Sequence, residues 1–83
     1  MVNSDQVKER IQNAIPCEVL EVEDTSSGCG SSFRCLIVSP SFIGQPLLQR
    51  HRLIFNLFEQ EMKTEIHAFN LSTLTPEQYQ SQR

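Results

Sequence analysis

The sequence predicts an α/β (α+β) fold in the order α-β-β-α-α-β-α, with a three-stranded mixed sheet and helices packed on one face. Three observations carry this reading. Apolar residues recur at helical spacing near the N-terminus and again after Pro46. Three short runs rich in Val, Ile, Leu and Phe alternate with polar residues in the manner of strands. A short loop joins the first two runs, whereas a helix separates the second from the third, so the first pair reads as a hairpin and the second as a right-handed parallel crossover. At 83 residues the chain has room for one domain, residues 1–83, and one modest core.

In chain order, Ser4 is placed to cap the first helix, with Asp5 and Glu9 near its positive end. Val7, Ile11, Ala14 and Ile15 form one apolar stripe, and Pro16 forces Ile15 out of the α region and stops the helix. Residues 19–24 read as a strand with one wet face, and Glu18, Glu21, Glu23 and Asp24 crowd it as solvating charges. Thr25-Ser26-Ser27-Gly28-Cys29-Gly30-Ser31 is a loop by composition, and residues 33–38 are the second strand. Residues 41–44 form a single helical turn closed by Gly44. Pro46 then stands at the first position of a long helix running to about Met62, with Leu47, Leu48, Ile54, Leu57, Phe58 and Met62 as its apolar face. Residues 65–71 make the third strand. Thr75-Pro76-Glu77-Gln78 is a capping-box signature for a short last helix.

Composition narrows the function classes. The net charge is −3, with ten acids against seven bases, which weighs against a surface built for a phosphate backbone. No apolar stretch approaches the ~20 residues that span a bilayer. Residues 1–10 lack the apolar core of a secretory signal, and Asp5 and Glu9 are out of place in a mitochondrial presequence. A cytoplasmic and nuclear address is the expectation. Three cysteines, an odd number, argue against a disulfide framework in an intracellular chain.

Cys29 lies between two glycines at a hairpin tip, where crowding is least and backbone N–H groups can turn towards sulfur and favour a thiolate. A lone Gly-Cys-Gly is no metal motif, and the same residues read equally as an exposed loop that contains a cysteine. His67 belongs to the third strand in Ile66-His67-Ala68-Phe69. Alternation separates it from Ile66 and Ala68, so with those two facing the helices its imidazole points to the other face. Such an imidazole can ligate Fe or Zn, or it can be an ordinary solvated histidine. Cys35 shares the alternation class of Phe33 and Ile37 and reads as a buried thiol; Cys17 has no assignable role. His51, between Arg50 and Arg52, is a weaker ligand candidate because two guanidiniums disfavour a nearby cation. The Arg50-His51-Arg52 helix also admits a nucleic-acid reading. Its footprint is only two arginines, with no aromatic platform, and Gly44-Gln45-Pro46-Leu47 lacks the second Gly of a backbone-clamping GXXG loop. No catalytic triad, paired carboxylates or phosphate-cradling loop stands out, so no enzyme is expected.

Four segments together resemble the BolA family: Gly28-Cys29-Gly30-Ser31-Ser32-Phe33, Phe42-Ile43-Gly44-Gln45-Pro46-Leu47-Leu48-Gln49-Arg50-His51-Arg52, Ile66-His67-Ala68-Phe69 and Leu74-Thr75-Pro76-Glu77-Gln78. The resemblance covers about residues 18–80 and is nearest to the cytosolic and nuclear eukaryotic branch, the type that in fungi joins a monothiol glutaredoxin in iron regulation. It implies a class II KH-like fold and assigns His67 and Cys29 as ligands of a [2Fe–2S] cluster, leaving His51, Cys17 and Cys35 aside. Such a cluster needs four ligands and this chain offers two. The resemblance therefore implies a heterodimer in which the glutaredoxin thiolate and a bound glutathione supply the rest, with iron-responsive transcription regulators as further partners. Phe55 departs from the family pattern, where a smaller or polar residue is expected.

Overall fold

The computed structural model describes residues 3–26 and 31–82. The elements are α1 (Ser4–Ala14), β1 (Val19–Asp24), β2 (Ser31–Val38), a 3-10 turn (Pro40–Phe42), α2 (Leu47–Leu57), α3 (Glu59–Thr64), β3 (Ile66–Leu74) and α4 (Pro76–Ser81). The sheet order is β1-β2-β3, with β1 antiparallel and β3 parallel to the central β2. The mixed sheet and the element order match the sequence expectation.

The central strand organises the core. Phe33, Cys35 and Ile37 alternate inward on β2 and are at most 1% exposed. They join Val7 and Ile11 of α1, Ile54 of α2, Phe58, Ile66 and Phe69 in a single cluster, with Leu20 and Val22 of β1 packed against it. The other face of the sheet carries the exposed residues Glu21, Glu23, Arg34, Asn70 and Ser72, with Arg34 paired across strands to Glu23 at 3.1 Å. That exposed cross-strand pair contributes little to stability.

Several boundaries differ from expectation, each for a local or tertiary reason. The cap of α1 is Asn3, one residue before Ser4: Asn3 Oδ1 accepts from the Gln6 N–H at 2.9 Å while Gln6 Oε1 accepts from the Asn3 N–H at 2.9 Å. Only this frame puts a glutamine at the third helical position for a reciprocal box. Ala14 is exposed, so the buried stripe is Val7, Ile11 and Ile15. The 3-10 turn begins at Pro40, capped by Ser39, whose Oγ accepts from the Ser41 N–H at 3.1 Å. Gly44 at φ 79° turns the chain back, a backbone that favours glycine, and Pro46 is the N-cap of α2 rather than its first residue. Strand β3 runs on to Leu74 because residues 72–74 keep pairing with β2, and the Ser39 N–H closes the ladder on the Leu74 carbonyl at 3.0 Å.

Two differences matter more. The expected helix to Met62 is two helices, broken at Phe58 (φ −122°, ψ 27°) without a Gly or Pro. The break frees the Leu57 carbonyl, and Arg10 of α1 donates to it at 3.1 Å. Arg10 also pairs with Glu61 at 2.8 Å and lies 4.9 Å above the centre of the Phe58 ring. A cation brought from 47 residues away thus satisfies the broken helix end. Leu47 and Leu48, expected in the apolar face, are 59% and 61% exposed. They lie in the first turn of α2, and Leu48 stands about 240° around the helix from buried Ile54. The last helix forms as expected, Thr75 and Gln78 closing their capping box at 3.2 and 3.0 Å.

Candidate metal centre at the His67 corner of the sheet

The β2–β3 ladder is irregular at its N-terminal end. Ser31 faces Ile66 and Ser32 faces Ala68, so His67 is an extra residue with no opposite number. This bulge changes the alternation beyond it. Ile66 and Phe69, three apart, are both in the core, and Ala68 is half-buried. The expectation that Ile66 and Ala68 share the helix-facing side is therefore corrected, while His67 is exposed. Bulges re-aim a side chain and interrupt pairing, and here the residue set free is an imidazole.

The neighbouring strand begins at the same corner. Ser31 is buried and its N–H donates to the Glu65 carbonyl at 3.1 Å. The β1–β2 loop is stitched at its neck: the Thr25 N–H donates to the Ser32 carbonyl at 2.8 Å, and the Ser32 N–H donates to Ser26 Oγ at 2.9 Å. The Ser26 hydroxyl and N–H both bond Asp24, the latter at 2.9 Å, and hold its carboxyl below the usual range. Cys29 lies outside the described residues, two positions before Ser31. Among the described residues no three His, Cys, Asp or Glu side chains converge as a metal site.

The other sequence candidates lie elsewhere in the fold. Cys35 is 1% exposed in the core, and burial pushes its thiol up to about 12, which makes it a packing residue and a poor thiolate. Cys17 is half-buried, its Sγ 3.6 Å from the Ile15 carbonyl, and burial raises it too. His51 is half-buried on α2 and meets the Phe55 ring edge-on at 6.3 Å, with Nε2 buried and without a partner. Phe55, the departure from the family pattern, packs its ring against Phe69 at 6.0 Å.

Arg50 has a role that sequence reasoning missed. Its Nε donates to the Gln45 carbonyl at 2.8 Å, and its Nη1 donates to the Thr73 carbonyl at 3.1 Å and to Gln78 Oε1 at 2.9 Å. One guanidinium thus ties the turn before α2, the end of β3 and the cap of α4. Its donors are taken up by these three oxygens, which leaves exposed Arg52 as the cation of the Arg50-His51-Arg52 strip without a partner among the described residues. Gln78, visible as a capping residue, was the one local sign that this corner is densely bonded.

This mixed α+β frame is the architecture of the BolA-like proteins. The chain belongs to that family, whose profile matches residues 11–78. Within it the chain is similar to the eukaryotic BolA-like protein 2: the mouse protein is 46% identical over 83 residues, covering 99% of this chain and 95% of the relative. A DNA-binding transcriptional regulator BolA from Escherichia coli is more distant, 31% identical over 86 residues, with 96% and 82% covered. A crystal structure of a Bol-like protein from Babesia bovis superposes with a TM-score of 0.92 at 39% identity, covering 99% of this chain and 94% of that one.

Proposed function

We propose that this protein is a non-enzymatic iron–sulfur adaptor that shares a [2Fe–2S] cluster with a monothiol glutaredoxin, using His67 and Cys29 as its two ligands. The observation that carries the reading is the bulge. It leaves an exposed imidazole beside Ser31, and Cys29 follows Ser31 back along the chain by two residues. The burial of Cys35 in the core and the half-burial of Cys17 support the same choice.

Ligand counting sets the partner. A [2Fe–2S] cluster takes four protein or thiol ligands, and two from this chain leave two for the glutaredoxin thiolate and a glutathione held by it. An imidazole in place of one thiolate reduces the negative charge on the cluster and raises its potential. Such a ligand can also leave by protonation, which suits handover rather than storage. The cytosol and nucleus are the compartments this role fits, with iron-responsive transcription regulators as recipients of the signal.

The test is reconstitution with a monothiol glutaredoxin, iron, sulfide and glutathione, followed by absorption and circular dichroism. His67→Ala loses the mixed-ligand spectrum, and Cys29→Ala still associates but gives an altered, less stable cluster. A His67→Ala spectrum identical to wild type sinks the ligand assignment. The E. coli relative's name supports a second reading as a nucleic-acid binder. That reading requires salt-dependent binding to a duplex, lost in Arg52→Ala and indifferent to iron.

A further inference from the structure

The end of the sheet away from His67 carries an uncovered apolar surface. Ile43 is 64% exposed, Leu47 59%, Leu48 61% and Leu53 38%, four large side chains on one turn and the helix that follows it. Several large apolar side chains left exposed on one short segment of a small domain mark a contact surface. Beside it runs a groove of about 470 Å3 between the 3-10 turn and α2, lined by Ser41, Gln45, Gln49, Arg52, Leu53 and Asn56 among others, with no carboxylate in its walls.

Charge specifies what the groove takes. Residues 25–58 contain no Asp or Glu but hold Arg34, Arg50 and Arg52, although the chain as a whole is at −3. Arg34 is neutralised by Glu23, whereas among the described residues Arg50 bonds only carbonyl oxygens and Arg52 has no carboxylate partner. The surface is therefore apolar, cationic and rich in amide groups. Its complement is a helix with leucines on one side and acids along their flanks, seated in the groove by helix-in-groove recognition. A strand would need an open sheet edge, and the groove offers side chains. Nucleic acid fits poorly, because one free guanidinium releases few counterions and exposed leucines gain nothing from phosphate. A second copy fits poorly as well. The buried residues of α1 are its apolar ones, and α3 shows no large exposed apolar side chain to place beside its acids.

We infer that the Ile43–Leu47–Leu48–Arg52 face is a second docking site, for an acidic amphipathic helix of another protein. It is separate from the cluster corner. His67 and Leu74 are seven residues apart on β3, about 23 Å of strand, and Arg50 anchors α2 at the Leu74 end through Thr73. A glutaredoxin at one end and an acidic helix at the other can bind together, which would make the domain a two-ended adaptor.

The probe is a labelled helical peptide of about sixteen residues with Leu at i, i+3, i+4 and i+7 and Glu on the flanks. A charge-reversed version carries Lys in place of Glu. Titrated into the whole apo protein, the acidic peptide shifts the amide resonances of Ile43, Leu47, Leu48, Arg52 and Leu53 in a saturable way. Leu48→Ser and Arg52→Glu each weaken it by about tenfold, and Arg52→Glu gains affinity for the Lys peptide. Both side chains are exposed, and circular dichroism checks that the variants fold. Equal binding of the two peptides, shifts centred elsewhere or no saturable binding overturns the proposal. So does a duplex DNA that displaces the peptide with a steep salt dependence, or a concentration-dependent dimer abolished by Leu48→Ser. His67→Ala retains peptide binding, so failure here is distinguishable from failure of the cluster reading.

Discussion

The two ends of β3 are built on opposite principles. At the N-terminal end the ladder slips by one residue at His67 and leaves that side chain exposed and unopposed. At the C-terminal end, residues 72–74 stay in register, Ser39 closes on Leu74, and Arg50 clamps the Thr73 carbonyl together with Gln45 and Gln78. The difference teaches where each end contributes. The clamped end holds the helices to the sheet, and the slipped end gives up regular pairing and leaves an imidazole exposed.

Substitutions break this comparison in order of effect. Arg50→Ala removes three hydrogen bonds and leaves backbone carbonyls unpaired, and about 2 kcal/mol of stability should go with them, or ~10 °C in Tm for a domain of this size. Thermal circular dichroism reads the loss, while cluster assembly at low temperature is retained. A stability change confined to a few tenths would show that Arg50 is ornamental. Arg10→Met should cost about 1 kcal/mol by uncapping the Leu57 carbonyl and losing the Glu61 pair, an effect that denaturant titration resolves. Its signature is faster hydrogen exchange around Phe58.

Cys35 sharpens the contrast between packing and ligation. Its thiol is raised from an ordinary 9.0 to about 12, so the folded state holds the proton more tightly than the unfolded chain does. Stability from this group is fully present below pH 9 and is lost as the pH climbs towards 12. Cys35→Ala should keep the cluster spectrum and abolish that part of the alkaline decline, measured by urea titration across this range. The smallest stability change belongs to His67→Ala, within about 0.5 kcal/mol, because an exposed bulge residue holds nothing in place. It is also the change that should abolish the mixed-ligand spectrum.

Local rules were legible wherever the determining residues lie close in sequence. Pro16 ends α1, Thr75 and Gln78 cap α4, and the alternation of Phe33, Cys35 and Ile37 places β2 in the core. Side-chain placement was legible in part: alternation put Cys35 in the core, where it is buried, and pointed His67 away from it, where it is exposed. The geometry at His67 was not. Strict alternation assigned Ile66 and Ala68 to one face, and only the pairing partner reveals the extra residue.

The sequence by itself determined the element order, the mixed sheet, the hairpin and the caps, because periodicity and capping act within a few residues. Tertiary structure decided the bulge at His67, the break at Phe58 and the three-way clamp made by Arg50. It also left Leu47 and Leu48 uncovered past the end of the sheet. Each of these depends on groups far apart along the chain: Arg10 on Leu57 47 residues away, Arg50 on Thr73 23 away and on Gln78 28 away. A backbone carbonyl released from its own helix or strand edge needs a donor from somewhere, and only the folded chain determines which one arrives.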